Sequence, residues 1–99
     1  MGVRPNITSL ELEGTNLVVQ GESDDPLPTI LQVIVFQDGA TEDGRGAEVA
    51  GGGARRIVLG WRATLKDTKF RKGPAQAMGV EIRVDPFDIR SWVQLVEIK

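Results

Sequence analysis

The sequence predicts an all-β domain, a two-sheet antiparallel sandwich of six to seven strands. Three observations carry that expectation. Val and Ile supply 18 of the 99 residues against seven Ala, a balance that favours strands over helices. Apolar residues recur at every second position through much of the chain, which is the period of a half-buried strand. Twelve glycines and five prolines punctuate these runs, and both residues mark turns. A chain of 99 residues has room for one core, so residues 1–99 are read as a single domain.

Taken in order, Ile7 to Glu13 alternates Leu10 and Leu12 with Ser9, Glu11 and Glu13. Gly14-Thr15-Asn16 reads as a turn, and Leu17, Val19 and Gly21 alternate with Val18 and Gln20, so 7–21 forms a hairpin. An acidic turn over 22–28 holds Pro26 and Pro28, which keep it out of a sheet interior. The third strand, 29–37, is apolar on both faces: Ile30, Ile34 and Phe36 on one, Leu31, Val33 and Val35 on the other. Residues 38–56 lose all periodicity and hold six glycines, which predicts a flexible Gly-rich loop with at most a short strand near 47–49.

Residues 57–66 then give the clearest strand, with Ile57, Leu59, Trp61, Ala63 and Leu65 on one face. A connection over 67–74 leads to a strand over 75–84, in which Ala75, Ala77 and Gly79 form a small-residue outer half open to close approach by another element. Trp61, Ile34 and Ile82 are expected in the core. The last segment supports two readings. β-branched and aromatic residues from Trp92 to Ile98 favour a strand, with 85–90 as a turn; the Asp85-Pro86 pair and the spacing of Ile89, Trp92, Val93 and Val96 give the alternative, a sheet with a C-terminal helix at 86–98.

The opening pattern of Ile7, Leu10, Leu12, Gly14, Leu17, Val19 and Gly21, followed by a long central strand, resembles the first hairpin of immunoglobulin-like and fibronectin-III-like sandwich modules. The resemblance implies an architecture and no activity. It departs from those modules in lacking a cysteine pair and any tyrosine, and in placing Trp61 in the fourth strong strand rather than the third.

Histidine, cysteine and tyrosine are absent. That removes Ser-His-Asp triads, Cys-His dyads, imidazole or thiolate zinc sites and disulfides. No catalytic residue, cofactor or metal is therefore assigned. No stretch approaches 18 apolar residues, so no membrane span is expected. The first residues lead into polar sequence without a visible signal peptide, which favours the cytoplasm.

Charge is unevenly spread. Residues 1–54 carry two basic and nine acidic side chains, a net of −7, and residues 55–99 carry ten basic and five acidic, a net of +5, which together give the −2 of the whole chain. The densest basic stretch places Arg62, Lys66, Lys69, Arg71 and Lys72 around Phe70, read as a hairpin tip. Cations beside an aromatic ring can hold phosphates while the ring stacks on a base, although an acidic protein repels polyanions at long range, so nucleic acid is a disfavoured partner.

Asp38, Glu42, Asp43 and Glu48, with Glu22, Asp24 and Asp25, offer oxygen ligands but follow no calcium-loop pattern. Asp85 and Asp88 beside Trp92 sketch a carboxylate pair of the kind glycosidases use. The strongest surface candidate is the two-faced third strand. If Leu31, Val33 and Val35 face outward, leaving them in water costs about 25 cal/mol per Å², and a partner sheet or a second subunit would cover them. The sequence thus points to a non-catalytic protein-interaction or structural module that self-associates through one sheet face. The alternatives are polyanion binding through 62–72, and a small carboxylate hydrolase or carbohydrate-binding module.

Overall fold

The computed structural model describes residues 6–22, 30–39, 46–57, 60–84 and 87–99. These residues form eight strands and no helix: β1 (Ile7–Glu13), β2 (Asn16–Gly21), β3 (Ile30–Asp38), β4 (Ala47–Gly53), β5 (Arg55–Ile57), β6 (Gly60–Leu65), β7 (Gly73–Val84) and β8 (Phe87–Ile98). Gly14, at a φ of 63°, supplies the left-handed backbone that the tight β1–β2 turn requires. The C-terminal segment is strand throughout, paired with β7 from Gly73↔Ile98 to Val84↔Phe87. The helical alternative at 86–98 is therefore wrong, and 87–90 is strand rather than turn.

The eight strands make one mixed sheet in the order β4-β3-β7-β8-β1-β2-β6-β5. All neighbours are antiparallel except β1 and β8, which run parallel with Leu10 opposite Ile98. This corrects the two-sheet sandwich. The segment that follows β3 pairs first with β3, as β4, and then with β6, as β5. Because β4 also lies against β6, the two ends of the sheet approach each other and the sheet curls into a nearly closed barrel. Closure hides sheet edges that a sandwich would leave to be protected individually.

The stretch expected to be a flexible loop is thus, over 47–57, the piece that brings the barrel edges together; residues 40–45 lie outside the described residues. One of its glycines has a packing reason. A Cβ on Gly52 would stand 2.8 Å from Leu65 Cδ2 of β6, so the missing side chain lets β4 approach β6.

The interior is built from every second residue. Leu17, Val19 and Gly21 of β2 face Leu65, Ala63 and Trp61 of β6 in register, and Leu10 and Leu12 of β1 sit beside Val19 and Leu17. On the other side Leu31, Val33 and Val35 point inward and are buried, opposite Glu81, Gly79 and Ala77 of β7. The small residues of β7 therefore line the interior, not an outer half, and the element that approaches them is Trp92 of β8, directly opposite Gly79. Trp61 lies across Gly21 in the same way. Each indole fills the volume that the glycine on the neighbouring strand leaves empty. Trp61 is core as expected, whereas Ile34 and Ile82 are half-buried on the outer face.

Two glutamines hold parts of the barrel that backbone ladders do not. Between β1 and β8 the register comprises a single pair, extended by the backbone bonds Leu12 N to Lys99 O and Lys99 N to Leu10 O, both 2.9 Å. Further along the same seam Gln94 replaces the ladder. Its Nε2 donates to the Ile7 carbonyl at 2.7 Å, while its Oε1 accepts from the Ile7 amide at 3.1 Å and from the Trp92 indole at 3.3 Å. The polar residue that interrupts the apolar face of β8 is therefore a side-chain substitute for a strand partner.

Gln37, buried on β3, similarly accepts from the Arg71 amide and donates to the Arg71 carbonyl, each at 2.8 Å. This fixes the 66–72 connection. β6 and β7 are not neighbours in the sheet, so that connection crosses a barrel end rather than turning a hairpin. It is pinned on its other side by Thr68, whose amide and hydroxyl both donate to the Thr15 carbonyl at 2.7 and 3.0 Å.

Candidate interaction surface

The outer wall of the barrel has two unlike halves. Over β1, β2 and β6 it is polar except at the buried Val18: Ser9, Gln20 and Arg62 stand in one cross-strand row, and Glu11, Val18 and Thr64 in the next. Over β4, β3, β7 and β8 the rows read differently. Val49, Phe36, Gln76 and Leu95 are aligned, then Gly51, Ile34, Met78 and Val93, then Gly53, Gln32, Val80 and Ser91. Beyond them Ile30, Ile82 and Ile89 form a three-strand row, and Val84 faces Phe87 near the tip of the β7–β8 hairpin.

None of these five rows contains a charge. Among the described residues the large hydrophobic side chains left exposed are Ile30, Phe36, Val49, Val84, Phe87, Ile89, Val93 and Leu95, and every one belongs to this face. Leu95 is 80% and Phe87 71% exposed, values that leave almost the whole side chain in water. Charge returns only at one end of the face, where Asp38 and Glu97 fall in the row beyond Leu95.

The three residues expected to offer a surface on β3 do not face outward. Leu31, Val33 and Val35 belong to the core, at 4%, 0% and 0% exposure, and Ile30, Ile34 and Phe36 face outward. The reason lies on β7, where Ala75, Ala77 and Gly79 leave interior space that the larger, outward-facing Met78, Val80 and Ile82 would overfill.

The basic 62–72 stretch is divided by the fold. Arg62 lies exposed on the outer face of β6 and Lys66 just beyond the end of that strand, while Lys69, Arg71 and Lys72 lie exposed further along the connection across the barrel end. Phe70 is buried in the core at 6% exposure, so it offers no ring for a base to stack on. The carboxylate pair is not assembled as drawn from sequence: Asp88 Oδ2 accepts from Arg90 Nε at 2.7 Å, Trp92 is inside the barrel, and Asp85 lies outside the described residues. Of the acidic candidates, Asp24, Asp25, Glu42 and Asp43 also lie outside them. Asp38 and Glu48 stand in adjacent rows on opposite faces of the β3–β4 pair, and no group of three metal-ligating side chains occurs among the described residues.

What sequence reasoning missed was the outer face of β8. Phe87, Ile89, Val93 and Leu95 lie at even spacing broken only by Ser91, so a signal was present; with a helix and a turn competing for 85–98, it had no partner strand to be read against. Compared with protein-family models, with curated proteins and with solved structures, the chain matches none.

Proposed function

We propose that the chain is a non-catalytic interaction module that self-associates through the outer face of β4, β3, β7 and β8. The observation that carries this reading is the gathering of all eight exposed large hydrophobics, among the described residues, on one uncharged face. A soluble monomer rarely leaves an apolar patch of more than a few hundred Å² in water. At on the order of 100 Å² each, these side chains offer roughly 800 Å², the share that one partner brings to a standard interface.

A second copy fits better than a foreign protein. An isologous contact sets the same patch against itself, and a face without charges meets its own copy without like-charge repulsion. Its composition also resembles homodimer interfaces, which are more apolar than those of transient complexes. A two-fold axis lying between the two faces and running across the strands would carry the acidic end, with Asp38 and Glu97, away from its counterpart. The two barrels would then pack sheet on sheet, about 10 Å apart.

Sedimentation velocity from micromolar to hundreds of micromolar protein tests the reading. The wild type is expected to sediment as a dimer. Val93→Glu, which buries a carboxylate in the middle of the contact, should weaken association at least about 100-fold while leaving the circular dichroism of the barrel intact, since Val93 touches no core residue in register. A wild type that remains monomeric throughout that range overturns the proposal, as does an unchanged dimer in the Val93→Glu and Leu95→Lys variants.

A further inference from the structure

We propose that the outer face of β5 and β6 is a phosphate-binding site, formed by Arg55, Arg62, Lys66 and the hydroxyl of Thr64. The starting observation is one of register: Arg55 stands directly opposite Arg62 in the antiparallel β5–β6 pair. Like charges in that position repel one another and weaken a strand pair, so the arrangement lacks an internal reason. It acquires one when an anion sits between them. Thr64 follows Arg62 at a two-residue step along β6, so both project from the same outer face, and Lys66, the first residue beyond the strand, lines the same concavity.

The surroundings have the shape of a site. The four side chains border an open concavity of about 480 Å³, and no carboxylate among the described residues lines it. Gly53, at the end of β4, forms part of its wall, and a Cβ there would meet nothing within 4 Å, so the chain leaves the space clear. Guanidinium groups hold phosphate oxygens through paired, charge-assisted hydrogen bonds, a lysine adds a point charge, and a hydroxyl donates to a remaining oxygen. The volume exceeds that of one phosphate group and suits a ligand carrying several in series, either a free polyphosphate or the backbone of an oligonucleotide. The arrangement has no aromatic platform, because Phe70 is in the core, and therefore recognises phosphate rather than bases.

This site adjoins the apolar face at Gly53 but shares none of its large hydrophobic side chains, and its test reads phosphate binding rather than self-association. Binding of a fluorescently labelled single-stranded oligonucleotide is followed by anisotropy, with tripolyphosphate both as a direct ligand by calorimetry and as a competitor. Arg55→Gln and Arg62→Gln are each expected to weaken binding about ten-fold, and each cation removed should lower the slope of log affinity against log salt by about one. Lys69→Gln with Lys72→Gln removes the same charge as the Arg55→Gln, Arg62→Gln pair but from the barrel end, and should change affinity far less.

Tripolyphosphate binding that displaces the oligonucleotide supports the site with a free phosphate as its ligand; oligonucleotide binding that tripolyphosphate does not match supports it with a phosphodiester backbone. Absence of binding by both ligands overturns the proposal, and so does an equal loss in the Lys69/Lys72 control, which would reduce the effect to net charge. Removing either arginine should in addition leave the thermal midpoint in phosphate-free buffer unchanged or raised, because the facing pair is relieved; a clear fall would mean that the pair is structural, and would also overturn it.

Discussion

Gly79→Ala is expected to destabilise the barrel by at least about 3 kcal/mol, because forcing extra volume into a packed core is accommodated only by moving what is already there. A Cβ built on Gly79 overlaps the six-membered ring of Trp92, which lies directly across it on β8. The neighbouring inward residues, Val33 and Ala77, are 0% and 1% exposed, so the indole has no free interior volume to enter. It must leave the core or push β8 from β7. Expulsion exposes a side chain of about 200 Å² at about 25 cal/mol per Å², which is why the cost is large on either route. Chemical denaturation measures it, with Trp fluorescence shifting to the red if the ring is expelled. A double variant Gly79→Ala, Trp92→Leu should cost clearly less than the sum of the two single changes, since the smaller side chain vacates the contested space. Strict additivity, or a Gly79→Ala variant as stable as wild type, would contradict this account of the packing.

Gln94→Leu should cost about 2–4 kcal/mol. The substitution strips partners from the Ile7 amide, the Ile7 carbonyl and the Trp92 indole at once, and each polar group left without a partner away from water costs about 1–3 kcal/mol. The summed loss is discounted because the site is only part-buried and water replaces some of the bonds. The location matters more than the count. Gln94 bridges β1 to β8 at the parallel seam, where one residue pair defines the ladder, so its removal should loosen the N-terminal half of β1 before the rest of the sheet. Hydrogen exchange would register this as lost protection around Ile7 with the β7–β8 ladder retained. Gln94→Glu separates shape from bonding: it keeps the size of the side chain but sets a second acceptor against the Ile7 carbonyl, and should be at least as damaging as Gln94→Leu. A Gln94→Glu variant with wild-type stability would show that size alone matters there.

The Trp–Gly pairs and the glutamine clasp show where reading the chain succeeded and where it could not. Alternation assigned nearly every described strand residue to one of two sets, and Leu10, Leu17, Val19, Trp61, Ala63 and Leu65 fell into the buried set because their alternates, Val18 and Gly60 apart, are polar or charged. On β3 both sets are apolar, so alternation alone gave no means of choosing, and the interaction candidates went to the inward set. On β4 the reverse held: glycine and alanine give a strand no apolar signature, yet 47–53 pairs with β3 along its whole length, and at Gly52 a side chain would crowd Leu65 of β6. Arg55 was passed over for a related reason. It lies outside the dense 62–72 stretch in sequence and comes beside Arg62 only through the β5–β6 register.

By itself, then, the sequence determined that this chain is built of strands, which residues of each strand share a face, and which chemistry its composition withholds. Those properties are local: a backbone in extended conformation alternates its side chains whatever it later packs against. Which face turned inward on β3, the joining of the sheet into a barrel, the burial of Phe70 and the meeting of Arg55 with Arg62 were decided only when distant strands came together. Pairing and closure depend on the volumes and hydrogen-bond partners that remote segments present to one another, and those are relations between residues that no single stretch of the chain contains.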